Sequence, residues 1–489
     1  MNIGLNSIKM DKADALMIPI FEDGKEDIIE GLSEILNHAK AKEKFSGKHG
    51  EVFTSTKTEK ARTQDIIFIG LGKEKELTGE KIRLAIAKAV KKARELKAES
   101  INVRYINGTK LTLHAIVNSM VEGLYFGDYK FDKYKTDRKD RPSLDISIDG
   151  MGNENIEKAE ACIEESKVLA EATLFARDLV NEPANVIYPE SFAEKAKESG
   201  KKYGFEVEVH NEKEIEELGM KAFLAVGRAS VNPPRLIVMR YFGDKDNSSD
   251  ILGFVGKGLM YDAGGYSLKP TDGMVDMKSD MAGAAAVLGA ISAIAQQGLK
   301  VNVVAVVAAC ENLISGGAYK PGDIIGSMAG KNIEVLNTDA EGRLTLADAV
   351  YYAIAKEKVS KVVDIATLTG AVLVALGTTT IGVITNNEKF YKELEKAADH
   401  SEEKMWLLPS FDEYKEILKS DIADLKNSTG RNAGTICAGL FIGEFAKDTP
   451  WMHLDIAGTS WTDNEKGYLT KGGTGVGVRT LYYLAKDKS

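Results

Sequence analysis

The sequence predicts an α/β protein of two domains, a smaller N-terminal α/β domain and a larger C-terminal α/β domain whose mixed, mostly parallel central sheet is flanked by helices. Short apolar, β-branched runs alternate with segments in which apolar residues recur every three or four positions. The 489 residues exceed one ordinary domain. A polar stretch and a long helical pattern divide the chain, so we predict domains at 1–152 and 183–489 with a connecting helix at 153–182.

The first 152 residues alternate predicted strands and helices. The strands are Ala15–Phe21, Asp65–Leu71, Ser100–Tyr105 and Ser143–Ile148. Two segments have the apolar spacing of helices, Lys81–Lys97 and Leu113–Tyr125. Gly70-Leu71-Gly72-Lys73 fits neither GxGxxG nor GxxxxGK[ST], so we interpret it as a turn that ends a strand rather than as a phosphate-binding loop.

The connecting helix is predicted from Ile156 to about Val180, because Pro183 and Pro189 cannot continue it. Six later runs are predicted strands: Phe205–His210, Arg235–Tyr241, Ile251–Val255, Val301–Ala308, Val362–Ala366 and Met452–Ile456. Helical patterns separate most of them, which indicates a mostly parallel sheet covered on both faces. Such sheets bind ligands beyond the carboxyl ends of their strands, so we expect the functional residues there.

The composition argues against several classes of protein. Lys and Arg total 64 and Asp and Glu total 73, and this net charge of −9 argues against nucleic acid or an anionic membrane as a partner. Cys162, Cys310 and Cys437 form no CxxC pair, which argues against a disulfide scaffold or a thiolate metal site. The N-terminus lacks a signal-peptide pattern, and no continuous apolar run reaches the ~20 residues of a membrane helix. We therefore expect a cytoplasmic protein.

Carboxylates are concentrated beside glycine at three junctions that follow predicted strands. Asp262 and Asp280 lie at the first two, and the third contains both Asp339 and Glu341 and opens a helix. Four carboxylates in one crevice would raise one another's pKa unless cations neutralised them, and four negative charges match two divalent ions. Two such ions would lower the pKa of a bridging water from 15.7 toward about 7.

Each of these residues also has an ordinary structural interpretation. Asp280 and Asp339, taken singly, would be helix caps or turn residues, and Lys257 would be a surface lysine. The hypothesis rests on their combination. The six histidines form no HExxH motif, and the chain contains no GxSxG, so a histidine-based zinc site and a serine hydrolase are poorly supported. His453 lies in a strand-like alternation, and we expect it to be structural.

The octapeptide Asn337-Thr338-Asp339-Ala340-Glu341-Gly342-Arg343-Leu344 resembles the signature of the leucyl (cytosol) aminopeptidase family of two-metal exopeptidases. Further similar segments are 255–258, 262–265, 366–371 and 454–459, together with Lys269 and Asp280. The resemblance covers about Ala176 to Arg479, and it implies that the larger domain is a catalytic peptidase domain. Ala263 stands where the commoner pattern has a hydroxyl residue, which could alter support of the ligands but removes none of them.

The resemblance implies roles for eleven residues. Two divalent ions, Mn²⁺ or Zn²⁺ with Mg²⁺ or Co²⁺ as alternatives, would be held by Lys257, Asp262, Asp280, Asp339 and Glu341. One ion would take Asp262, Asp339 and Glu341, and the other would take Lys257, Asp262, Asp280 and Glu341. The catalytic residues would be Lys269, which would polarise the scissile carbonyl, and Arg343, which would hold a bicarbonate acting as general base. The substrate-binding residues would be Met277, Thr367, Leu368 and Gly370.

These residue types are chemically consistent with the implied roles. Lys257 can ligate a metal only when neutral, and lowering its pKa from ~10.4 to below 7 costs about 5 kcal/mol, which a dication at bonding distance could offset. Arg343 cannot itself act as a base, because its pKa exceeds ~12, whereas a bound anion could. A substrate amine of pKa ~7.7–8.0 would coordinate in its neutral form, so activity should rise from about pH 7 toward about pH 9.

Three functions stay open at this stage. The first is an exopeptidase that removes N-terminal residues, preferring leucine and other apolar residues. The second is a narrower two-metal hydrolase such as a dipeptidase or a Cys-Gly peptidase. The third is DNA binding, which is known for some relatives of the family but is opposed by the net charge of −9. The resemblance also implies a homohexamer and peptide substrates with a free N-terminus.

Overall fold

The computed structural model describes residues 1–24, 31–59, 62–152 and 155–489. These residues form two compact units, one of residues 1–171 and 464–470 and the other of residues 172–463 and 471–489. Helix α4 (Ile156–Asn181), predicted as Ile156 to about Val180, crosses from one unit to the other. The units therefore divide within this helix, whereas the predicted domains end before it and begin after it. Asn153 and Glu154, at the predicted start of the connecting helix, lie outside the described residues.

The first unit contains a six-stranded sheet with strand order β1-β6-β5-β2-β4-β3. Its elements are β1 (Asn2–Leu5), β2 (Ala15–Phe21), α1 (Ser33–Ala41), β3 (Val52–Glu59), β4 (Arg62–Gly72), α2 (Gly79–Glu95), β5 (Ser100–Arg104), α3 (Leu113–Asp128) and β6 (Asp145–Asp149). All neighbouring strands are parallel except β3, which pairs antiparallel with β4 at the edge. The four predicted strands and both predicted helices are present, whereas strands β1 and β3 and helix α1 were not predicted.

Helices α2 and α3 pack against each other and enclose a charged pair. Arg83 of α2 donates from Nε to Glu122 Oε2 of α3 at 2.6 Å, and both side chains are 1% exposed. Arg83 also donates to Glu80, which is partly exposed on its own helix. The pair therefore joins the two helices through a buried, charge-assisted hydrogen bond.

The strands and helices of the second unit are as follows. Its strands are β7 (Glu206–His210), β8 (Arg235–Phe242), β9 (Ile251–Asp262), β10 (Asn302–Asn312), β11 (Ile324–Gly326), β12 (Asn332–Glu334), β13 (Lys361–Ala366), β14 (Ile381–Thr385), β15 (Met405–Leu407), β16 (Leu425–Lys426), β17 (Trp451–Asp455), β18 (Trp461–Thr462) and β19 (Gly472–Gly473). Its helices are α5 (Pro189–Tyr203), α6 (Glu212–Glu217), α7 (Lys221–Gly227), α8 (Thr271–Met274), α9 (Ala282–Gln296), α10 (Gly342–Ala355), α11 (Gly370–Leu376), α12 (Glu388–Ser401), α13 (Asp412–Glu416), α14 (Gly434–Gly443) and α15 (Val478–Lys486).

The central sheet of the second unit has eight strands in the order β15-β14-β17-β13-β9-β10-β8-β7. Its centre, β17-β13-β9-β10, is parallel, and antiparallel pairs occur toward both edges. Helices α9 and α10 cover opposite faces of β9. Gly256 faces α9, and the next residue, Lys257, points to the other face and lies against the start of α10. The predicted mixed, mostly parallel sheet flanked by helices is confirmed.

Strand β9 is longer than predicted, because it continues from Val255 to Asp262 instead of ending at a glycine-rich loop. Gly256 lets α9 approach the strand closely, since a Cβ added there would lie 2.6 Å from the carbonyl oxygen of Gly283. The glycines that suggested a loop are therefore packing positions inside a buried strand. As a result, Lys257 comes from the middle of the strand, and Asp262 comes from its carboxyl end.

A search of the described residues finds one stretch, 271–296, that is long and apolar enough by composition to cross a membrane. In its most apolar window, 94% of the residues are buried inside the protein, as expected for the core helix α9. The stretch is not a continuous apolar run in the sequence, because Asp272, Asp276, Lys278 and Asp280 interrupt it.

Candidate metal centre

The eleven residues assigned a role from the sequence all border one cleft in the second unit. The cleft has a volume of about 900 Å³ and lies where the parallel strands β9, β13 and β17 end. Strand β9 contributes Lys257 and Asp262, the turn after β13 contributes Thr367 and Leu368, and the segment that opens α10 contributes the octapeptide carboxylates. Because parallel strands end at the same edge, side chains distant in the sequence meet there.

The inner part of the cleft holds a buried lysine among carboxylates. Lys257 Nζ lies 2.8 Å from both Asp280 oxygens and 2.9 Å from Glu341 Oε1. It also donates to the carbonyl oxygen of Thr367 at 2.9 Å. Burial lowers the pKa of this lysine, but the charges of Asp280, Glu341 and Asp262 outweigh burial and raise the pKa above its ordinary value. These contacts favour the ammonium form of Lys257.

The outer part of the cleft holds a second lysine, which is more exposed. Lys269 Nζ lies 2.8 Å from Asp262 Oδ2 and 2.6 Å from Asp339 Oδ1, and its side chain is 17% exposed. Burial opposes the charge of Lys269, but Asp262, Glu341 and Asp339 raise its pKa. Lys269 therefore stays charged at the rim of the cluster.

Asn312 orients Asp262, and the sequence interpretation missed it. It is the last residue of β10 and the neighbour of Asp262 across the sheet. Its Nδ2 donates to Asp262 Oδ1 at 2.8 Å and to the carbonyl oxygen of Thr338 at 2.9 Å. Gly264 N–H donates to the same Asp262 oxygen at 2.9 Å, so Oδ2 is the oxygen turned toward Lys269. The predicted strand Val301–Ala308 stops four residues before Asn312, so the prediction does not place this residue at a strand end.

The octapeptide is held by buried hydrogen bonds on both sides. Thr338 Oγ1 donates to the carbonyl oxygen of Gly264 at 2.7 Å. Asn427 is fully buried, donates to the Asn337 carbonyl oxygen at 2.6 Å and accepts from Leu336 N–H at 2.8 Å. The main-chain carbonyl of Asn427 accepts from the Arg343 guanidinium at 2.7 Å. Sequence reasoning assigned no role to Asn427, because its partners are distant in the chain.

Two glycines make room for the cluster. Gly264 has φ +85°, and a Cβ there would lie 2.7 Å from Asp339 Oδ1. A Cβ at Gly342, the first residue of α10, would lie 2.3 Å from Lys257 Cε. Any larger residue at either position would displace a member of the cluster.

The charges of the cluster do not balance. Among the described residues, the carboxylates of Asp262, Asp280, Asp339 and Glu341 pair with the ammonium groups of Lys257 and Lys269. The buried guanidinium of Arg343 also acts on Glu341 and Asp339, so four negative charges meet three positive ones. Burial, followed by repulsion from Asp262, raises the pKa of both Glu341 and Asp339. Burial also raises the pKa of Asp280, although Lys257 opposes it. The excess charge disfavours the fully ionised cluster unless a further cation is present.

The donor set fits divalent cations. One oxygen from each of Asp262, Asp280 and Glu341 lies within 4.8 Å of the others, and all three residues are buried. Glu341 Oε2 is buried and has no hydrogen-bond partner among the residues that the structure describes. Since a buried carboxylate oxygen normally has a partner, this one has unused capacity to accept a ligand. Hard oxygen donors with one amine suit Mn²⁺ and Mg²⁺ by hardness and Zn²⁺ by affinity.

The remaining predicted residues form the wall beside the carboxylates. Thr367 donates from Oγ1 to Asp280 Oδ1 at 2.7 Å, and Leu368, Gly370 and Met277 border the same cleft. The lining also includes apolar residues, namely Leu373, Val374, Ala375, Leu408 and Ile436, together with polar and charged ones such as Asp276 and Arg431. The structure thus brings all eleven residues together, while their individual roles remain predictions.

Among the functional classes considered, the fold and the cleft fit a peptidase, and comparison with known proteins supports that class. The catalytic-domain model of the cytosol aminopeptidase family matches residues 174–482, and the family's N-terminal-domain model matches residues 18–138. The chain therefore belongs to the cytosol aminopeptidase family, which confirms the resemblance seen in the octapeptide. Members of this family are metal-dependent peptidases, that is, hydrolases of peptide bonds.

Individual relatives match along nearly their whole length. A probable cytosol aminopeptidase of Clostridium perfringens is 56% identical over 489 residues, which are 100% of this chain and 99% of the relative. A second one, of Clostridium tetani, is 48% identical and covers 94% of each chain. Among solved structures, the bottromycin maturation enzyme BotP in complex with Mn is 31% identical with a TM-score of 0.86, covering 97% of this chain and 99% of BotP.

Proposed function

We propose that this chain is a two-metal aminopeptidase that removes N-terminal residues, preferring leucine and other apolar residues, from peptides with a free N-terminus. The observation that carries the proposal is the buried excess of carboxylate charge beside a cleft, with one oxygen of Glu341 lacking a partner among the described residues. A narrower dipeptidase or Cys-Gly peptidase would use the same carboxylates and differ only in the substrates it accepts.

Two divalent ions, Mn²⁺ or Zn²⁺ with Mg²⁺ or Co²⁺ as alternatives, would be held by Lys257, Asp262, Asp280, Asp339 and Glu341. Manganese is favoured by the oxygen-rich donor set and by the presence of Mn in the BotP complex. When bound, the ions would supply a water of lowered pKa and would polarise the scissile carbonyl. Lys257 would have to lose its proton to become a ligand, so binding of the metal and deprotonation of this lysine would be coupled.

Lys269 and Arg343 would act alongside the ions. Lys269 stays charged beside Asp262 and Asp339 and would stabilise the negative charge that develops on the carbonyl oxygen. Burial lowers the pKa of Arg343, although a guanidinium still keeps its charge. Arg343 Nε has no hydrogen-bond partner within the described part of the chain, which leaves a donor for a bicarbonate that would act as general base.

The apolar part of the cleft would receive the side chain of the N-terminal residue. Leu368, Met277 and Gly370 line the same cleft as the charged cluster and as the apolar side chains of Leu373 and Ile436. A site that combines a few fixed polar groups with an apolar wall is typical of small-ligand binding. This lining favours leucine over a charged residue at the substrate's N-terminus.

We also propose a homohexamer in the cytoplasm, with no membrane or nucleic-acid partner. The family name and the net charge of −9 support the location and the absence of a nucleic-acid partner. Light scattering coupled to gel filtration should give six times the chain mass of 53.1 kDa. A salt-sensitive shift of duplex DNA by the purified protein would contradict the nucleic-acid part of the proposal.

The decisive experiment is hydrolysis of leucine p-nitroanilide by metal-stripped protein to which Mn²⁺ or Zn²⁺ is returned. The wild type should regain activity, Asp339→Ala should not, and Asp412→Ala, an exposed acid paired with Lys415, should behave as wild type. Retained activity in Asp339→Ala would overturn the metal assignment, whereas normal turnover in Lys269→Ala would overturn only the role of the lysine. Cleavage of N-acetyl-leucine p-nitroanilide at the same rate would exclude recognition of the free amine.

A further inference from the structure

A row of buried charged groups lies behind the cleft and has no role in the proposed reaction. Asp364 of β13 pairs in register with His453 of β17, and Asp455 lies two residues beyond His453 on the same face of the sheet. All three side chains are fully buried. His453 Nδ1 lies 2.5 Å from Asp364 Oδ1, and Trp451 Nε1–H donates to Asp364 Oδ2 at 2.6 Å. The row runs from the core to the carboxyl end of β17.

Asp455, at the cleft end of this row, binds the segment that follows β13. Its Oδ1 accepts from Leu368 N–H at 3.2 Å, and its Oδ2 accepts from Thr369 Oγ1–H at 2.6 Å. Ala457 N–H donates to Oδ1 at 3.2 Å. Burial raises the pKa of Asp455, whereas His453 and these donors favour its charged form. Asp455 therefore connects the sheet to the wall of the cleft.

Residues 367–370 are held at two separate points. Thr367 contacts the candidate metal ligands, because its carbonyl oxygen accepts from Lys257 and its hydroxyl donates to Asp280. The next two residues are held by Asp455 instead. Thr369 Oγ1 also accepts from Val372 N–H at 3.2 Å and so caps α11, the helix that presents Leu373 and Val374 to the cleft.

We propose that Asp455 is a positioning residue that fixes Leu368 and the start of α11, and so shapes the part of the cleft that receives the substrate's N-terminal side chain. His453 supports this role electrostatically. Burial alone would lower the pKa of His453, but the carboxylates of Asp364 and Asp455 raise it. The inference rests on the proposed function, since it concerns the same peptide substrate. Thr367 is held by Lys257 and Asp280 and not by Asp455. Loss of the Asp455 contacts should therefore change substrate binding without changing metal binding.

The test compares substrate binding, turnover and metal binding in variants of the full chain. Asp455→Asn removes the charge, and Thr369→Val removes the hydroxyl that Asp455 binds. A hydrogen bond to a charged group contributes about 1.5–3 kcal/mol, so each variant should raise KM for leucine p-nitroanilide by about tenfold or more. The value of kcat and the Mn²⁺ dissociation constant from calorimetry should stay within about twofold of wild type. Thr369→Ser keeps the hydroxyl and should recover a KM near that of wild type.

Thr385→Val is the matched control, because it removes a buried hydroxyl that donates to the Trp451 carbonyl oxygen on the neighbouring strand. Its KM should not change. The double variant Asp455→Asn/Thr369→Val should raise KM by clearly less than the two single effects combined, because both single changes break the same contact between Asp455 and Thr369. If Asp455→Asn does not fold, the comparison of KM between Thr369→Val and Thr369→Ser tests the positioning role.

Three results would each overturn the positioning role of Asp455. They are an unchanged KM in Thr369→Val, additive effects on KM in the double variant, and a loss of Mn²⁺ affinity as large as the rise in KM. An inactive wild type after addition of Mn²⁺ and Zn²⁺ would instead overturn the proposed function itself. The two failures are therefore distinguishable.

Discussion

Each unit buries a cluster of charged side chains, and the two clusters differ in how their positive and negative charges are matched. In the first unit, the guanidinium of Arg83 meets the one fully buried carboxylate of Glu122, and its other partner, Glu80, is partly exposed to solvent. In the second unit, Lys257 and Lys269 meet four carboxylates, three of which are almost completely buried. The first arrangement is a structural ion pair, and the second has an uncompensated negative charge.

This difference shows which buried ion pairs indicate function. A balanced pair such as Arg83 and Glu122 can be explained by helix packing alone. A buried excess of one sign costs stability, and it can be explained by a cation that the site binds. The same reasoning predicts opposite responses to mutation in the two units.

The largest effect should come from Glu341→Gln. Removing this carboxylate should lower kcat/KM for leucine p-nitroanilide by at least about 10³-fold, because a proposed ligand shared by both ions is lost. In metal-free protein, the same change should leave the melting temperature unchanged or raise it, because it relieves repulsion with Asp262. Assays and thermal unfolding with and without Mn²⁺ check both parts. A clear destabilisation of the metal-free variant would contradict the idea that the excess charge is costly.

Arg83→Met should have the opposite effect on stability, that is, it should destabilise the protein. It leaves Glu122 buried without its guanidinium, so the free energy of unfolding should fall by about 3–5 kcal/mol, measured by urea unfolding. The double variant Arg83→Met/Glu122→Leu should recover much of that loss, because no buried charge is then left uncompensated. As a control, Lys195→Met breaks only the exposed pair with Glu198 and should change stability by less than about 1 kcal/mol. Equal losses in the single and double variants would show that packing, rather than charge, is what the arginine supplies.

Asn312→Ala should weaken metal binding without removing a ligand. Asp262 would lose one of the two donors to its Oδ1, and such changes typically lower metal affinity by about 10–100-fold. Calorimetric titration with Mn²⁺ measures this effect. Asn302→Ala is the control, because Asn302 is equally buried at the opposite end of β10 and bonds the carbonyl oxygens of Asp244 and Asn247. Similar losses of affinity in the two variants would exclude an orienting role for Asn312.

The last test concerns Asp348, a buried carboxylate that accepts hydrogen bonds from the backbone N–H groups of Phe223, Met328 and Ala222. Burial raises its pKa to about 7, above the ordinary value of 3.8. The unfolded chain therefore loses this proton at a lower pH than the folded chain, so ionisation reduces stability as the pH rises from about 4 to about 7. Relative to wild type, Asp348→Asn should thus be more favourable at pH 8 than at pH 5 in urea unfolding. A difference that does not change with pH would contradict the raised pKa.

Much of the fold could be predicted because the strands of both sheets are short apolar runs separated by helical patterns. The edge strand β3 was missed because Thr, Ser and Lys dominate it, and it is defined by pairing with β4 rather than by burial. The end of β9 was misplaced because glycine usually indicates a turn, whereas Gly256 serves the close approach of α9. Local sequence does not reveal which helix a glycine will face.

The acidic residues of the site were predictable because they follow apolar strands and cluster in short motifs. Asn312 and Asn427 were not, because each acts on a segment that only the sheet order brings beside it. Asp455 lay in a segment that resembles the family, yet its role depends on β17 and β13 being neighbours. His453 was expected to be structural, and its buried contact with Asp364 agrees with that expectation.

The most direct test of the central claim is the number of Mn²⁺ ions bound per chain. Equilibrium dialysis measures it for metal-stripped wild-type protein and for Glu341→Gln, and hydrolysis of leucine p-nitroanilide is assayed at each Mn²⁺ concentration. Wild type should bind two ions, with activity that rises as they bind, and Glu341→Gln should bind fewer and stay inactive. Full activity of metal-free wild type, or equal Mn²⁺ binding by the two proteins, would contradict the claim that these carboxylates hold a catalytic pair of cations.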